Sequence, residues 1–112
     1  MTKIGEFRRT AGGFAGRIHT LALDATLCLV PANAGEAENA PDWRIHLGES
    51  DCGPEIGAAW NRDGERAGPY LSFQIDDPVL GKPIRANLFL VDAEKGLHHL
   101  RWSRPAKRDP AN

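Results

Sequence analysis

The side chains of this sequence that could hold a metal ion include four histidines. His19, His46, His98 and His99 have no ligand partner at the separations found in zinc motifs. Adjacent residues of a strand point to opposite faces, so His98 and His99 are not placed to share one ion. We therefore predict that the histidines lie on a β surface, with no metal site and no cofactor.

Two adjacent carboxylates, Asp76 and Asp77, would suit acid–base or magnesium chemistry. They directly precede Pro78 at a predicted strand end, where aspartate commonly caps a turn by accepting hydrogen bonds from backbone amides. The sequence has no P-loop, no GxSxG motif and no dinucleotide-binding fingerprint. These patterns favour a turn role for the pair and predict a non-enzymatic protein without catalytic residues.

The two cysteines are the remaining reactive groups. Cys28 lies in an apolar run and Cys52 in a loop of glycine and proline. A disulfide between them is one alternative, but the chain begins with polar residues and no apolar signal-peptide region follows. The longest strongly apolar run, Leu27 to Val30, is too short to span a membrane. We expect a cytoplasmic protein with two reduced thiols and no membrane partner.

Alternation of apolar and polar residues with a period of two dominates the 112 residues. Strands are predicted at residues 3–9, 13–20, 21–31, 42–47, 55–61, 70–76, 84–91 and 97–103. Because the phase flips between Thr20 and Leu21, residues 13–31 form either two strands or one bent strand. The predicted fold is mainly β: a single small antiparallel meander of seven or eight short strands, curled into a barrel or a two-layer sandwich. It occupies residues 1–104, and residues 105–112 are predicted to be a polar, mobile tail.

The three tryptophans, Trp43, Trp60 and Trp102, fall in the predicted inward set of their strands. In the strand at 55–61 that set is Ile56, Ala58 and Trp60. This placement favours core packing over base stacking or a partner contact. An exposed tryptophan would instead favour stacking on single-stranded nucleic acid.

Eight short blocks follow one another along the chain: Ile4–Phe7, Gly16–Leu21, Ala40–Arg44, Ile56–Trp60, Tyr70–Phe73, Asp76–Pro78, Ala86–Phe89 and Leu100–Arg104. In this order, over roughly residues 3–104, the chain resembles the bacterial domain-of-unknown-function family 736. Members of that family resemble cargo of conjugative plasmids and integrative elements. The resemblance therefore implies a mobile-element setting, and it implies no catalytic residues.

Charge is unevenly distributed although the net charge is only −1. Residues 31–55 set Arg44 against six carboxylates, whereas residues 95–112 have a net charge of +4. Three predicted strands repeat an outward couplet of one arginine and one histidine. If these strands lie side by side, their cations form a patch suited to phosphate; alternatively, each cation pairs with a cross-strand acid. The predicted nucleic-acid-binding residues are Arg17, His19, Arg44, His46, Arg85, His99, Arg101 and Arg104.

Two functions from different classes follow from these patterns. The first is a binding module of a mobile element that contacts nucleic acid through the basic strand face. The alternative is a protein-interaction or inhibitor domain that docks on a host or conjugation protein through its acidic 31–55 region or a sheet edge. Neutralising Glu36, Glu38 and Asp42 would then abolish docking. The ligand and the oligomeric state are left open by the sequence.

Overall fold

Each strand of this protein pairs with the strand that follows it in the sequence, and the last strand pairs with the first. The computed structural model describes residues 2–21, 23–32, 40–48, 53–66, 68–78 and 81–103. The strands are β1 (Thr2–Thr10), β2 (Gly13–His19), β3 (Asp24–Pro31), β4 (Trp43–Leu47), β5 (Glu55–Gly64), β6 (Gly68–Ile75), β7 (Ile84–Asp92) and β8 (Leu97–Trp102). All neighbours are antiparallel, and the β1–β8 pair closes the sheet into an up-and-down barrel. The prediction of a mainly β meander is confirmed, and of the two predicted forms the barrel is the observed one.

The change in the phase of the apolar alternation at Thr20 corresponds to a turn between two strands. The Thr20 backbone N donates to the Leu23 carbonyl oxygen at 2.8 Å, and the Leu23 N donates to Thr20 Oγ1 at 3.1 Å. The turn brings His19 opposite Asp24 at the start of the β2–β3 pair. Residues 13–31 therefore form two strands and not one bent strand.

Apolar side chains fill the interior of the barrel. Phe7 and Phe73 meet edge to face, with 5.5 Å between their ring centroids. The most deeply buried aliphatic side chains around them are Leu27, Leu29, Ile45, Leu88 and Leu100. Among the described residues no polar or charged residue is buried. An eight-stranded barrel is just wide enough to be filled in this way, so binding sites are left to its outer face and its two ends.

Irregularities in strand pairing decide which side chains face inward. The register shifts in the β1–β8, β4–β5 and β7–β8 pairs, which leaves Ile4, Ile56 and Val91 as the extra residues. An extra residue reverses the alternation that follows it. Such bulges are also common where a sheet bends to close.

The shift at Ile56 overturns the predicted inward set of β5. Ile56 is buried, but the next fully buried residue is Ala59. Ala58 and Trp60 therefore lie on the outside of the barrel. The inward placement of these two residues was wrong, because the bulge moves the alternation by one position. Trp60 is half-buried on the outer surface, whereas Trp43 and Trp102 pack against the core as predicted.

Residues 33–39, 49–52 and 104–112 lie outside the described part of the chain. The predicted tail at 105–112 and Cys52 fall there, and the statements about them stay predictions. Cys28 is described and is buried on β3. The described residues include no helix with the length and apolar character of a membrane span.

Gly16 allows the ring of Phe7 to lie across β2. The two residues are direct partners in the β1–β2 pair. A Cβ atom at Gly16 would lie 2.6 Å from Phe7 Cγ and closer still to the carbonyl oxygen of Glu6. Neither the strand nor the buried ring has room to move, so the position requires a residue without a side chain.

We expect Gly16→Ala to lower the free energy of unfolding by roughly 1–3 kcal/mol, the usual cost of overpacking a core. Urea denaturation would measure this difference. Gly12→Ala is the matched control, because a Cβ at Gly12 has nothing within 4 Å. Equal losses of stability in the two variants would contradict the argument.

Aromatic and charged side chains meet at one end of the barrel, which we term the polar end and define by Arg9, Phe14, Trp43 and His98. The guanidinium carbon of Arg9 lies 4.8 Å from the ring centroid of Phe14 and 5.4 Å from that of Trp43. Phe14 also meets the rings of Trp43 and His98 edge to face, at 5.2 and 5.0 Å. The Nδ1 atom of His98 is 3.0 Å from the carbonyl oxygen of Gly96. These contacts hold the imidazole in a fixed position inside the end of the barrel.

Burial lowers the pKa of His98 below its ordinary value of 6.5, and the charge of Arg9 acts in the same direction against the hydrogen bond to Gly96. Below pH 6.5 the unfolded chain therefore binds more protons at this site than the folded one. The stability that depends on neutral His98 is complete above pH 6.5 and is lost as the pH falls through the folded pKa.

We expect an NMR titration of the His98 imidazole to give a midpoint below 6.5. In His98→Gln, the free energy of unfolding should fall less steeply with pH below that value, because the titrating group is gone. A midpoint at or above 6.5 would refute this account of the site.

Candidate nucleic-acid interface

The three arginine–histidine couplets lie on strands that are not neighbours. Within each couplet the intervening residue, Ile18, Ile45 or Leu100, is buried, so both polar members point outward as the alternation predicts. However, β1 separates β8 from β2, and β3 separates β2 from β4. The couplets are thus distributed around the barrel and do not share one face.

Two of the couplet arginines each contact a carboxylate on a neighbouring strand. Arg17 Nε and Nη2 lie 2.6 and 2.5 Å from the two carboxylate oxygens of Asp24. This hydrogen-bonded contact lowers the pKa of Asp24 and raises the pKa of Arg17. Arg44 Nη1 is 2.9 Å from Glu55 Oε1. Exposed pairs of this kind add little stability, but each carboxylate competes with a phosphate for its arginine.

The couplet histidines have separate surroundings. His19 is exposed on β2, and His46 Nδ1 is 2.8 Å from the carbonyl oxygen of Gly53. His99 Nε2 lies 3.9 Å from Glu6 Oε1, and its Nδ1 is buried without a hydrogen-bond partner. In the part of the chain that the structure describes, no three His, Cys, Asp or Glu side chains come together as metal ligands.

Arg85 and Arg101 differ from the other predicted arginines. They lie on the adjacent strands β7 and β8, and neither forms an ion pair with a described carboxylate. Arg62 on β5 likewise has no ion pair among the described residues. Arg104, the last predicted residue, falls outside the described part of the chain.

These three arginines belong to one surface, which we term the β5–β8 outer face. Its central outward side chains are Ala58, Trp60, Arg62, Tyr70, Ser72, Gln74, Arg85, Asn87, Phe89, His99 and Arg101. None of these eleven positions carries a carboxylate. Acidic side chains lie at the margins of the face: Glu6 faces His99 from β1, and Asp92 lies at the end of β7 opposite Leu97. Glu55, at the start of β5, forms an ion pair with Arg44.

Aromatic side chains lie between the arginines of this face. One row across the strands pairs Trp60 with Ser72, Ser72 with Asn87, and Asn87 with Arg101. In the next row, Tyr70 and Phe89 stack with 5.3 Å between ring centroids and a tilt of 31°. The face therefore combines flat apolar rings, amide and hydroxyl groups, and guanidinium groups without carboxylate partners.

Sequence reasoning missed four members of this face: Trp60, Arg62, Tyr70 and Phe89. Trp60 was assigned to the wrong side because the bulge at Ile56 leaves no mark in the sequence. Arg62 lies just beyond the predicted strand at 55–61, whereas β5 continues to Gly64. Tyr70 and Phe89 could have been found, because each is directly adjacent to a leucine, Leu71 or Leu88, in the apolar alternation of its strand and so must face outward.

The acidic stretch proposed for protein docking is described only in part. Glu36 and Glu38 lie outside the described residues, so that alternative stays a prediction. The Oδ2 atom of Asp42 accepts a hydrogen bond from the backbone N of Asn61 at 2.8 Å, which gives this carboxylate a role within the fold. Each of the eight strands has a partner on both sides, so the closed barrel does not favour docking through a sheet edge, and docking on a partner protein stays a prediction.

Comparison with known proteins identifies a family to which this chain is similar. No match emerges from curated proteins or from solved structures. The family model described as "Protein of unknown function (DUF736)" matches residues 3–105, which is nearly the whole chain and covers all eight strands except for Thr2 of β1. This protein belongs to the family of proteins of unknown function DUF736.

Proposed function

We propose that this protein is a non-enzymatic, cytoplasmic module of a mobile genetic element and that it binds single-stranded nucleic acid on the β5–β8 outer face. The observation that carries the proposal is the combination of Trp60, the stacked pair Tyr70 and Phe89, and three arginines without described carboxylate partners on one sheet surface. Arg17 and Arg44 are paired with acids and do not belong to this site, whereas Arg85 and Arg101 do.

The aromatic rings support a single-stranded ligand. Unpaired bases stack on aromatic side chains whatever their sequence, and each stacked base contributes about 1–3 kcal/mol. A duplex offers no free base faces to a flat sheet surface. Four-stranded antiparallel sheets that display two or three aromatic side chains bind single-stranded RNA in this way.

The arginines support a contact with the phosphate backbone. The net charge of −1 gives the molecule no general attraction for nucleic acid, so attraction must be local. Three arginines without described ion pairs, among the eleven central outward positions, provide this local field. Ser72, Gln74 and Asn87 add hydrogen-bonding groups between the rings and the guanidinium groups, within reach of sugars and base edges.

Trp60→Ala should weaken the binding of a labelled oligonucleotide of about twelve nucleotides by roughly 5- to 150-fold, the loss expected for one stacked base. Fluorescence anisotropy at low salt would measure the affinity, and Trp60→Phe should keep most of it because a ring is retained. Urea denaturation of both variants checks that the barrel is intact. Unchanged affinity in folded Trp60→Ala would contradict the proposal.

The dependence of affinity on salt concentration tests the arginines separately from the aromatic rings. Three phosphate contacts predict that log K falls with log salt at a slope of about −2 for a single strand, and Arg101→Gln should reduce the slope by about 0.7. Arg17→Gln is the matched control, because Arg17 is paired with Asp24 on the opposite half of the barrel. A slope near zero, or equal effects of the two substitutions, would exclude phosphate binding by this face.

A further inference from the structure

A cavity of about 370 Å³ opens at the polar end of the barrel, beside the β5–β8 outer face. Its apolar part is lined by Phe14, Leu71 and Leu88, and its polar part includes Asp63 and His98. We term it the polar-end cup. Its volume is at the lower end of the range found for small-ligand sites, which also favour the mouths of β-barrels.

The polar groups of the cup include acceptors on Asp63 and His98. The Asp63 carboxylate has no ion pair among the described residues, so both of its oxygens are available. With the Nδ1 proton of His98 directed at the carbonyl oxygen of Gly96, the neutral ring leaves Nε2 as a further acceptor.

Asn61 adds a donor to the same cup. Its Oδ1 accepts a hydrogen bond from Trp43 Nε1 at 3.0 Å, which fixes the orientation of the amide. The Nδ2 group is then left with two N–H donors for a ligand. A ligand that fits must be flat and partly apolar, with adjacent donors for the carboxylate and an acceptor for the amide.

The cup is continuous with the proposed binding surface. Arg62 and Tyr70 line the cavity and also belong to the β5–β8 outer face. A strand lying on that face would pass the opening of the cup with its bases already unpaired.

We infer that the polar-end cup takes one unpaired base of the bound strand and selects guanine. This inference rests on the proposed function. Guanine presents N1–H and N2–H as neighbouring donors, which match the two oxygens of the Asp63 carboxylate, and O6 as an acceptor for Asn61. Adenine and cytosine offer one amino group, and thymine offers a single ring N–H with no amino group. Base edges are read in this way when bases are turned out of a strand.

The test compares four thymidine oligonucleotides of about twelve nucleotides that carry guanine, adenine, cytosine or thymine at the centre. We expect the guanine oligonucleotide to bind roughly 5- to 150-fold more tightly than the all-thymidine one, the discrimination of one good bidentate contact. Asp63→Asn should remove this preference, so that the four oligonucleotides bind alike. Asp76→Asn is the matched control, because Asp76 is exposed at the opposite end of the barrel and should keep the preference.

The possible outcomes separate the two proposals. Tight but equal binding of all four oligonucleotides would overturn the cup inference and leave the proposed function in place. If no oligonucleotide binds at low salt, the proposed function fails. A titration with guanosine monophosphate followed by NMR then tests whether the polar-end cup binds guanine on its own. Shifts of the Asn61, Asp63 and His98 amides would support the cup as a guanine site, whereas unchanged spectra would overturn it.

Discussion

The interior of this eight-stranded barrel is filled by its own side chains, and that packing decides where the protein can bind anything. Phe7 and Phe73 meet near the axis, and leucine and isoleucine side chains occupy the remaining space. Wider barrels keep an internal cavity for a ligand, whereas here these side chains fill the middle of the barrel. Recognition is therefore confined to the outward side chains and to the ends of the strands, where alternation and bulges determine what is displayed.

The two halves of the barrel surface differ in how their charges are compensated. On the half formed by β2 to β4, Arg17 and Arg44 contact carboxylates at 2.5–2.9 Å, so that the two charges of each pair compensate each other. On the half formed by β5 to β8, the guanidinium groups have no described acidic partner and stand among aromatic rings. A net charge close to zero conceals this contrast, because the acids of residues 55–102 lie in the turns and near the strand ends and not in the centre of the outer face. The positions of the charged side chains on each face therefore matter more for binding than the net charge of the molecule.

Much of this fold could be read from the sequence, because alternation is a local property. The inward sets of β6 and β2, with Leu71 and Phe73 in one and Phe14 and Ile18 in the other, follow directly from period two and are observed. Closure of the barrel and the separation of β2, β4 and β8 could not be read, since strand order depends on contacts between distant residues.

The candidate site was less predictable for a related reason. A bulge depends on how two strands pair, so the outward position of Trp60 follows from the register of β4 with β5 and not from its own neighbours. The pairing of Arg17 with Asp24 likewise depends on the hairpin that brings β2 and β3 together. Arg85 and Arg101 could be recognised as outward cations from alternation alone, but their closeness could not.

The pairing of β1 with β8 has a consequence for the synthesis and folding of the chain. Thr2 pairs with Trp102, so β1 is synthesised well before β8, the strand that covers its second edge. Until then the growing meander is an open sheet with an exposed border along β1, a template on which other chains can add. Closure also requires a contact between residues 100 positions apart, which slows folding relative to local pairings. A chain interrupted before residue 97 would lack β8 entirely and keep both borders of the sheet exposed.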